Sequence, residues 1–218
     1  MFAYYGSKEE LAHLYPEPSH ETIIEPFAGS AAYARHGDRW RAQVVLVEPD
    51  PQIVEIWHWL IGEATPEAVM ALPEPAVGDP SGELSALTAV VSPGPGGTGI
   101  TPETVAAWRT RKPRLAASLH KVKHWRVLCG SYGEAPDMVA TWFVDPPYQG
   151  TVGGAYRQNS SSLTFGALAD WVRTRQGQVI ACEGGCADYL PFEPLRPGVD
   201  RRGDPHAELV WSREARPG

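Results

Sequence analysis

Short apolar runs alternate with segments of helical periodicity along the first 63 residues. The runs in "ETIIEPF" and "AQVVLVEPD" are typical of buried strands. Each precedes a turn and a segment with helical spacing of apolar residues, "GSAAYARHG" and "PQIVEIWHWLIGEA". Pro51 stands at the first position of the second helix, and Asp50 is its candidate N-cap. Strand, turn and helix repeated in this way predict an α/β fold with a mostly parallel sheet.

The alternation returns after residue 125. In chain order, the pattern predicts two strands, a polar loop, a helix and two further strands: "HWRVLCGS", "ATWFVD", "GTVGGAYRQNSSS", "TFGALADWVRTRQG", "QVIACEGG" and "HAELVWSR". Near the N-terminus, "SKEELAHLY" predicts a helix with Ser7 as its N-cap and Glu10 at the capping-box position. We assign residues 1–63 and 126–218 to one domain.

The middle segment, residues 64–125, does not continue the alternation. Seven prolines and the cluster "SPGPGGTG" fall between Ala64 and Thr104. We predict a short helix near 66–72, a helix at 82–90, a mobile loop at 92–100 and a helical stretch over 102–125 that Pro113 breaks. The segment is therefore interpreted as an insertion.

The composition is that of an ordinary soluble globular protein. Of the 218 residues, 43% are hydrophobic and 21% are charged, which suffices for one domain with a substantial core. No apolar run approaches the roughly 18 residues that span a bilayer. The start "MFAYYGSKEE" lacks the basic and apolar regions of a signal peptide. We expect a cytoplasmic protein.

The three cysteines, Cys129, Cys182 and Cys186, are too few for a disulfide framework in a chain of this length. Cys182 and Cys186 are close in sequence, but no histidine or second cysteine pair lies at zinc-site spacing. We expect free thiols and no metal.

Positive charge is concentrated in the insertion, although the formal net charge of the chain is −7. No acid occurs between Glu103 and Glu134, while the remaining sequence holds 26 acidic and 12 basic residues. The seven basic residues of this stretch are Arg109, Arg111, Lys112, Arg114, Lys121, Lys123 and Arg126. A local basic stripe is typical of a surface that contacts DNA phosphates. A solvated helix face explains the charge equally well.

Two strand ends indicate a nucleotide-like ligand. In "IIEPFAGSAAY" a strand runs into a glycine turn and then a helix, which lets the backbone approach a ligand closely. A tight turn without a ligand has equal weight, because a full dinucleotide fingerprint is absent and only Gly29 is present. The second strand ends at Glu48, where an acid can accept hydrogen bonds from ribose hydroxyls.

The stretch "TWFVDPPYQG" ends a strand with two prolines. Each proline removes a backbone N–H and disfavours the helical region for the residue before it, so the segment is extended. Its carbonyls then lie beside the Asp145 carboxylate at a strand end. This arrangement suits a planar amino group, with Tyr148 stacking on the attached ring. A chance Pro-Pro strand end is the alternative; an aminopurine or aminopyrimidine base fits the full combination.

Four motifs together resemble the Dam-like DNA adenine methyltransferases: "YYGSK", "EPFAGSA", "VEPDPQIVEIW" and "FVDPPY". Their order and approximate spacing match that family over most of the chain outside 64–125. The resemblance implies a Rossmann-like class I methyltransferase sheet that binds S-adenosylmethionine and methylates the exocyclic N6 amine of adenine in DNA. Two departures are Ala31, where many members have glycine, and Glu48, which replaces the commoner aspartate.

The resemblance also implies roles for individual residues. The cofactor-binding set is Tyr4, Gly6, Lys8, Glu25, Phe27, Ala28, Gly29, Glu48 and Asp145, and the catalytic set is Asp145, Pro146, Pro147 and Tyr148. Segment 64–125 becomes a small target-recognition segment whose basic residues contact double-stranded DNA.

The expected reaction is methyl transfer to an adenine that has been flipped out of the helix. Cytosine offers the same kind of amine at N4, RNA is a less favoured substrate, and a DNA-binding relative without turnover remains open. A monomer is favoured. A phage or bacterial origin and a restriction endonuclease partner remain possible contexts.

Overall fold

A seven-stranded sheet organises the protein in a computed structural model that describes residues 7–77, 100–149, 163–185, 187–195 and 208–214. The strands lie in the order β3-β2-β1-β4-β5-β7-β6. Their bounds are β1 Thr22–Glu25, β2 Gln43–Glu48, β3 Arg126–Cys129, β4 Ala140–Val144, β5 Gly177–Gly184, β6 Glu193–Pro194 and β7 Glu208–Arg213. The first five strands are mutually parallel, while β7 is antiparallel to both β5 and β6. The predicted α/β fold with a mostly parallel sheet is confirmed.

Five α-helices accompany the strands within the described residues. They are α1 Ala32–Arg35, α2 Pro51–His58, α3 Pro66–Ala71, α4 Pro102–Ser118 and α5 Phe165–Thr174. The predicted cap of α2 is confirmed, because the Asp50 side chain accepts a 2.9 Å hydrogen bond from the Gln52 N–H. Helix α2 continues as a π-helix over Trp59–Glu63.

The predicted N-terminal helix is wrong. Only a 3-10 turn, Ala12–Leu14, forms there. The Ser7 hydroxyl is 3.0 Å from the Ser30 hydroxyl, and the Lys8 side chain is buried in an ion pair with Asp145. Tertiary contacts thus use the two residues that would have started the helix, and they override its local signals.

The predicted break at Pro113 is also wrong, because α4 runs through it from Pro102 to Ser118. A proline inside a helix removes the bond to the carbonyl four residues before. Arg109 and Pro113 are both exposed, so the Arg109 carbonyl that loses this donor lies on the solvent side of the helix. Burial of Trp108 and Leu115 on the other side keeps the helix continuous.

Alternate strand residues supply two cores, one on each face of the sheet. Leu46 and Phe143 face a core that contains Trp57 of α2, whereas Val47 and Trp142 face one that contains Leu168 of α5. This is the period-two alternation of a sheet covered on both faces.

The middle segment contributes to the first of these cores. Trp108, Leu115 and Leu119 belong to the same buried cluster as Trp57. The domain boundaries at 64 and 125 stay a prediction. The predicted helix at 82–90, the loop predicted at 92–100 except for its last residue, and the polar loop at 150–162 lie outside the described residues. The two-residue strand β6 was not predicted.

None of the helices in the described ranges has both the length and the apolar character that crossing a bilayer requires.

Candidate functional site

Three loops meet at one edge of the sheet. They follow the carboxyl ends of β1, β2 and β4, which are parallel neighbours. From β1 the chain proceeds to β2 and β3 on one side, and it returns to β4 on the other side. In open α/β sheets, ligands bind at the carboxyl ends of the strands where the order reverses in this way.

Two buried carboxylates hold the loop after β1. The Glu25 carboxylate accepts a 2.7 Å hydrogen bond from the Ala34 N–H of α1. The Glu48 carboxylate accepts one from the Gly29 N–H at 2.9 Å and, through its other oxygen, one from the Asp50 N–H at 3.0 Å. The glycine turn is thereby fixed to the end of β2.

Burial shifts the acidity of both carboxyl groups. The loss of water raises the pKa of Glu25 to about 8, against the bond from the Ala34 N–H, which lowers it. Burial likewise raises the pKa of Glu48 to about 7, although the Asp50 and Gly29 N–H groups lower it. Acids with raised pKa values at a strand edge are candidates for a functional site.

Ala31 adds backbone strain to the same loop. Its φ and ψ are 51° and 48°, the left-handed region that favours glycine. A non-glycine residue there costs on the order of 1–2 kcal/mol. The departure from glycine noted in the sequence therefore lies at a position where the backbone takes a glycine-like conformation, next to Gly29 at φ 44°.

An aromatic pair lies beside this loop. The ring of Phe27 is 5.5 Å from that of Tyr132, with an interplanar angle of 29°. Tyr132 follows β3 in a 3-10 turn, Tyr132–Glu134. Phe27 was expected from the sequence, but Tyr132 was not.

Asp145 follows the last residue of β4 and forms an ion pair with Lys8. The Lys8 ammonium nitrogen is 2.8 Å from Asp145 Oδ1, and the side chains are 6% and 20% exposed, respectively. Burial disfavours the charged ammonium, but Asp145 and Glu208 outweigh it and raise the pKa of Lys8 above its ordinary value. Burial raises the pKa of Asp145, and Lys8 opposes that shift. Two residues that are 137 positions apart in the sequence are thus joined at the strand end.

Tyr148 is held both at its hydroxyl and at its ring. Its hydroxyl donates a 2.7 Å hydrogen bond to Glu208 Oε1, and the Lys8 ammonium lies 4.6 Å from the ring centroid. Burial raises the pKa of the Tyr148 phenol well above its ordinary value. Of the two prolines between Asp145 and Tyr148, Pro146 is buried and Pro147 half-buried.

Glu183, at the end of β5, holds the segment after Tyr148. Its Oε1 accepts hydrogen bonds from the N–H groups of Gln149 at 3.0 Å and Gly184 at 2.9 Å, and Oε2 accepts from the Tyr189 hydroxyl at 3.0 Å. Burial raises the pKa of Glu183 to about 7. The turn after β4 is therefore attached to β5.

Glu183 and Glu208 were missed by sequence reasoning. The sequence contains one indication of each. Glu183 interrupts the apolar run in "QVIACEGG", and Glu208 begins the apolar run in "HAELVWSR". An acid in such a position is rarely buried without a partner. The partners lie 34 and 60 residues away for the bonds to Gln149 and Tyr148.

Several basic residues of 109–126 bind other parts of the chain. The exposed Arg109 forms two 2.7 Å hydrogen bonds with the Glu74 carboxylate. The Lys112 ammonium donates to the Leu72 carbonyl. These contacts tie α4 to α3 and the residues that follow it.

The later part of the stretch lies at the other edge of the sheet. Arg126 begins β3 and pairs with Val45, whereas Cys129 pairs with Glu48 at the carboxyl edge. Lys123 donates a 2.6 Å hydrogen bond to the Ala64 carbonyl. Lys121 lies 5.6 Å from the Trp40 ring.

Arg111 is the basic residue with a described electrostatic link to the carboxyl edge. It is half-buried, its guanidinium is 5.7 Å from the Trp108 ring, and it interacts with Glu9, the neighbour of Lys8. Burial lowers the pKa of Arg111, and Glu9 opposes that shift. Arg114 is exposed.

Tyr4, Gly6 and Cys186 lie outside the described residues. Cys129 is an exposed free thiol, and Cys182 is a buried one. Within the described ranges, no three side chains of His, Cys, Asp or Glu are grouped to hold a metal ion.

No family model matches the chain, and no curated protein matches it. Among solved structures, a conserved hypothetical protein from Streptococcus pyogenes matches 89% of this chain and 86% of its own, with 11% identity and a TM-score of 0.36. A match at this level says nothing about what the chain binds or does.

Proposed function

We propose that the protein is a DNA adenine methyltransferase that transfers the methyl group of S-adenosylmethionine to the N6 amine of a flipped adenine. The observation that carries the proposal is the Lys8–Asp145 ion pair at the end of β4, beside the loops that follow β1 and β2. The β3-β2-β1-β4-β5 order supports the finer assignment to a Rossmann-like class I methyltransferase sheet.

The residues around the loop after β1 fit the cofactor. The Glu48 oxygens each accept one backbone hydrogen bond, and a carboxylate oxygen can accept a second, so ribose hydroxyls have acceptors there. Gly29 lets the backbone approach, and Phe27 with Tyr132 offers an aromatic surface. S-adenosylmethionine, when bound, supplies a methyl group on a positively charged sulfur.

Asp145 is the residue that would hold the target amine. Its Oδ1 contacts Lys8, and an ionised carboxylate has further acceptor positions for an amine hydrogen. The Pro146 carbonyl, which belongs to a segment outside strand and helix, would accept the second hydrogen. Holding both hydrogens localises the nitrogen lone pair and orients it, so the acceleration comes from orientation and fixed electrostatics.

Tyr148 would stack on the flipped base. Base–aromatic stacking contributes about 1–3 kcal/mol per base, which offsets part of the cost of unstacking. The ring is already held at its hydroxyl and by Lys8, so little ordering remains to be done on binding.

Basic residues of the stretch 109–126 would contact phosphates of double-stranded DNA as a small recognition segment. Arg111 is the first candidate, because it is linked to Glu9 beside Lys8. The proposal therefore includes double-stranded DNA as the partner and the cytoplasm as the location, since DNA and the cofactor meet there.

The test is incubation of the protein with methyl-labelled S-adenosylmethionine and unmethylated phage lambda DNA, followed by nucleoside analysis. The expected product is N6-methyladenine. N4-methylcytosine would overturn the choice of base, and label in a parallel RNA sample alone would overturn the choice of nucleic acid. No label, together with no thermal stabilisation by S-adenosylmethionine, would favour a DNA-binding relative without turnover.

A further inference from the structure

Glu208, the first residue of β7, joins the candidate site to the protein core. One of its carboxylate oxygens, Oε1, accepts hydrogen bonds from two hydroxyls, that of Tyr15 at 2.5 Å and that of Tyr148 at 2.7 Å. The two tyrosines are 193 and 60 residues away in sequence. The fold therefore brings three distant segments to one oxygen.

Tyr15 is a rigid end of this connection. It is 3% exposed, and its ring makes an edge contact with Phe143 at 5.1 Å. Phe143 is in turn stacked on Tyr33 at 4.3 Å and 7°. Side chains packed in this way have little rotational freedom, so the Tyr15 hydroxyl is a fixed point.

Tyr148, at the other end of this connection, lies outside any strand or helix that would fix its orientation. Strand β4 ends at Val144, and the described residues after it, 145–149, form neither strand nor helix. The orientation of the ring is set by side-chain contacts, which include the Glu208 bond at the hydroxyl, Lys8 at 4.6 Å from the ring and an interaction of the hydroxyl with the Asp145 carboxyl.

We infer that Glu208 is a positioning residue that holds the Tyr148 ring, through its hydroxyl, in the orientation in which a flipped base stacks. The inference rests on the proposed function. What positions the ring is the acceptor oxygen shared with Tyr15, and the negative charge of the carboxylate is not required for that. Misplacement of a reacting group by about 1 Å costs about 100-fold in rate, so the connection is expected to act on the transfer step.

The experiment compares Glu208→Ala, Glu208→Gln, Tyr148→Phe and the double variant Glu208→Ala/Tyr148→Phe. Single-turnover methyl transfer to unmethylated lambda DNA is measured alongside the KM for S-adenosylmethionine. Glu193→Ala, which removes an exposed acid on the neighbouring strand β6, is the matched control.

We expect Glu208→Ala and Tyr148→Phe each to slow transfer by about 10- to 100-fold. The double variant should be no slower than the slower single variant, because both substitutions break one connection. Glu208→Gln should recover most of the rate, since one amide oxygen can accept both hydroxyls. The KM for the cofactor should stay within about 3-fold, because Glu208 acts on Tyr148.

Two results would overturn the inference. Rate losses that multiply in the double variant would show that Glu208 and Tyr148 act independently. A Glu208→Gln variant as slow as Glu208→Ala would assign the role to charge instead of to the acceptor geometry.

A thermal unfolding cycle separates this inference from the proposed function. The melting temperatures of the same single and double variants should show losses that do not add. If the wild-type protein transfers no methyl group but the losses still fail to add, the proposed function is wrong and the connection stands. If the losses add, the connection is absent whatever the activity.

Discussion

The two edges of the sheet bury polar side chains in different ways. At the amino edge, Thr141 of β4 and Gln178 of β5 pair in register and are both fully buried. At the carboxyl edge of the same two strands lie Asp145 and Glu183, which are ionisable. The buried pair at the amino edge is neutral, whereas the pair at the carboxyl edge is ionisable.

The amino-edge network satisfies itself. Thr141 Oγ1 accepts hydrogen bonds from the N–H groups of Ser19 and His20 and donates to Gln178 Oε1 at 2.9 Å. The Gln178 amide donates to the Glu17 carbonyl at 3.0 Å and to the Glu214 carboxylate at 3.2 Å. Satisfied polar networks in a core stabilise one arrangement of the chain.

The carboxyl edge contains acids whose ionisation is opposed by burial. Glu25, Glu48 and Glu183 all have pKa values raised by burial, and the nearby Ala31 backbone is in a left-handed conformation. Proteins depart from local rules in this way at functional sites. The amino edge therefore contributes stability, and the carboxyl edge retains acids at some cost to it.

The largest expected effect on stability lies at the amino edge. Gln178→Leu removes the acceptor of the Thr141 hydroxyl, one of the two acceptors of the Ser19 N–H and the donor to the Glu17 carbonyl. The loss should lower the free energy of unfolding by about 2–4 kcal/mol. Chemical denaturation measures the loss. The same substitution at the exposed Gln176, two residues earlier, should change it by less than about 0.5 kcal/mol. Equal losses would remove the distinction between the edges.

The buried acids of the carboxyl edge should make the stability of the protein depend on pH. The pKa of Glu25 is raised from 4.5 to about 8, so the folded state binds more protons than the unfolded state in that range. Stability is therefore full below about pH 4.5 and declines as the pH rises towards 8. The slope is at most about 1.4 kcal/mol per pH unit for each such carboxyl.

Glu25→Gln should flatten this decline, because the amide is neutral and its oxygen still accepts from the Ala34 N–H. Denaturation midpoints of both proteins between pH 5 and 8 measure the difference. A decline of unchanged steepness would mean that Glu25 is not the acid that burial opposes.

The smallest expected effect concerns which edge faces DNA. Arg111→Met keeps the apolar stem beside Trp108 but removes the charge near Glu9. It should weaken DNA binding several-fold and reduce the salt slope by about 0.9. Arg126→Met, at the amino end of β3, should do less. Filter binding at several salt concentrations measures both, and equal losses would mean that the duplex also reaches the amino edge.

Local signals predicted most of the fold. The strand runs before Pro26 and Pro51 and the Asp50 cap are found where the sequence predicts them, because apolar periodicity and capping act over a few residues. Two local predictions were wrong, the helix beginning at Ser7 and the helix break at Pro113. Lys8 is bound by a residue 137 positions away, and Pro113 loses its hydrogen bond on the exposed side of α4.

The sequence predicted the motifs of the candidate site but not the two acids, Glu183 and Glu208, that bind the segment after β4. Asp145 and Tyr148 stand out as residues flanking two prolines, and Glu48 as an acid that ends a strand. Glu208 and Glu183 could not be assigned, because their role comes from strands β5 and β7 meeting the turn after β4. Pairing between distant strands is not encoded in a local pattern.

The most direct test of a methyltransferase site at the carboxyl edge is Asp145→Ala, measured for both binding and transfer. Exposed Asp170 of α5 provides the control Asp170→Ala, and circular dichroism checks that both variants are folded. Calorimetry with S-adenosylmethionine should show binding largely intact, while labelled methyl transfer to unmethylated lambda DNA falls by at least about 100-fold. Full transfer activity in a folded Asp145→Ala variant would contradict the account.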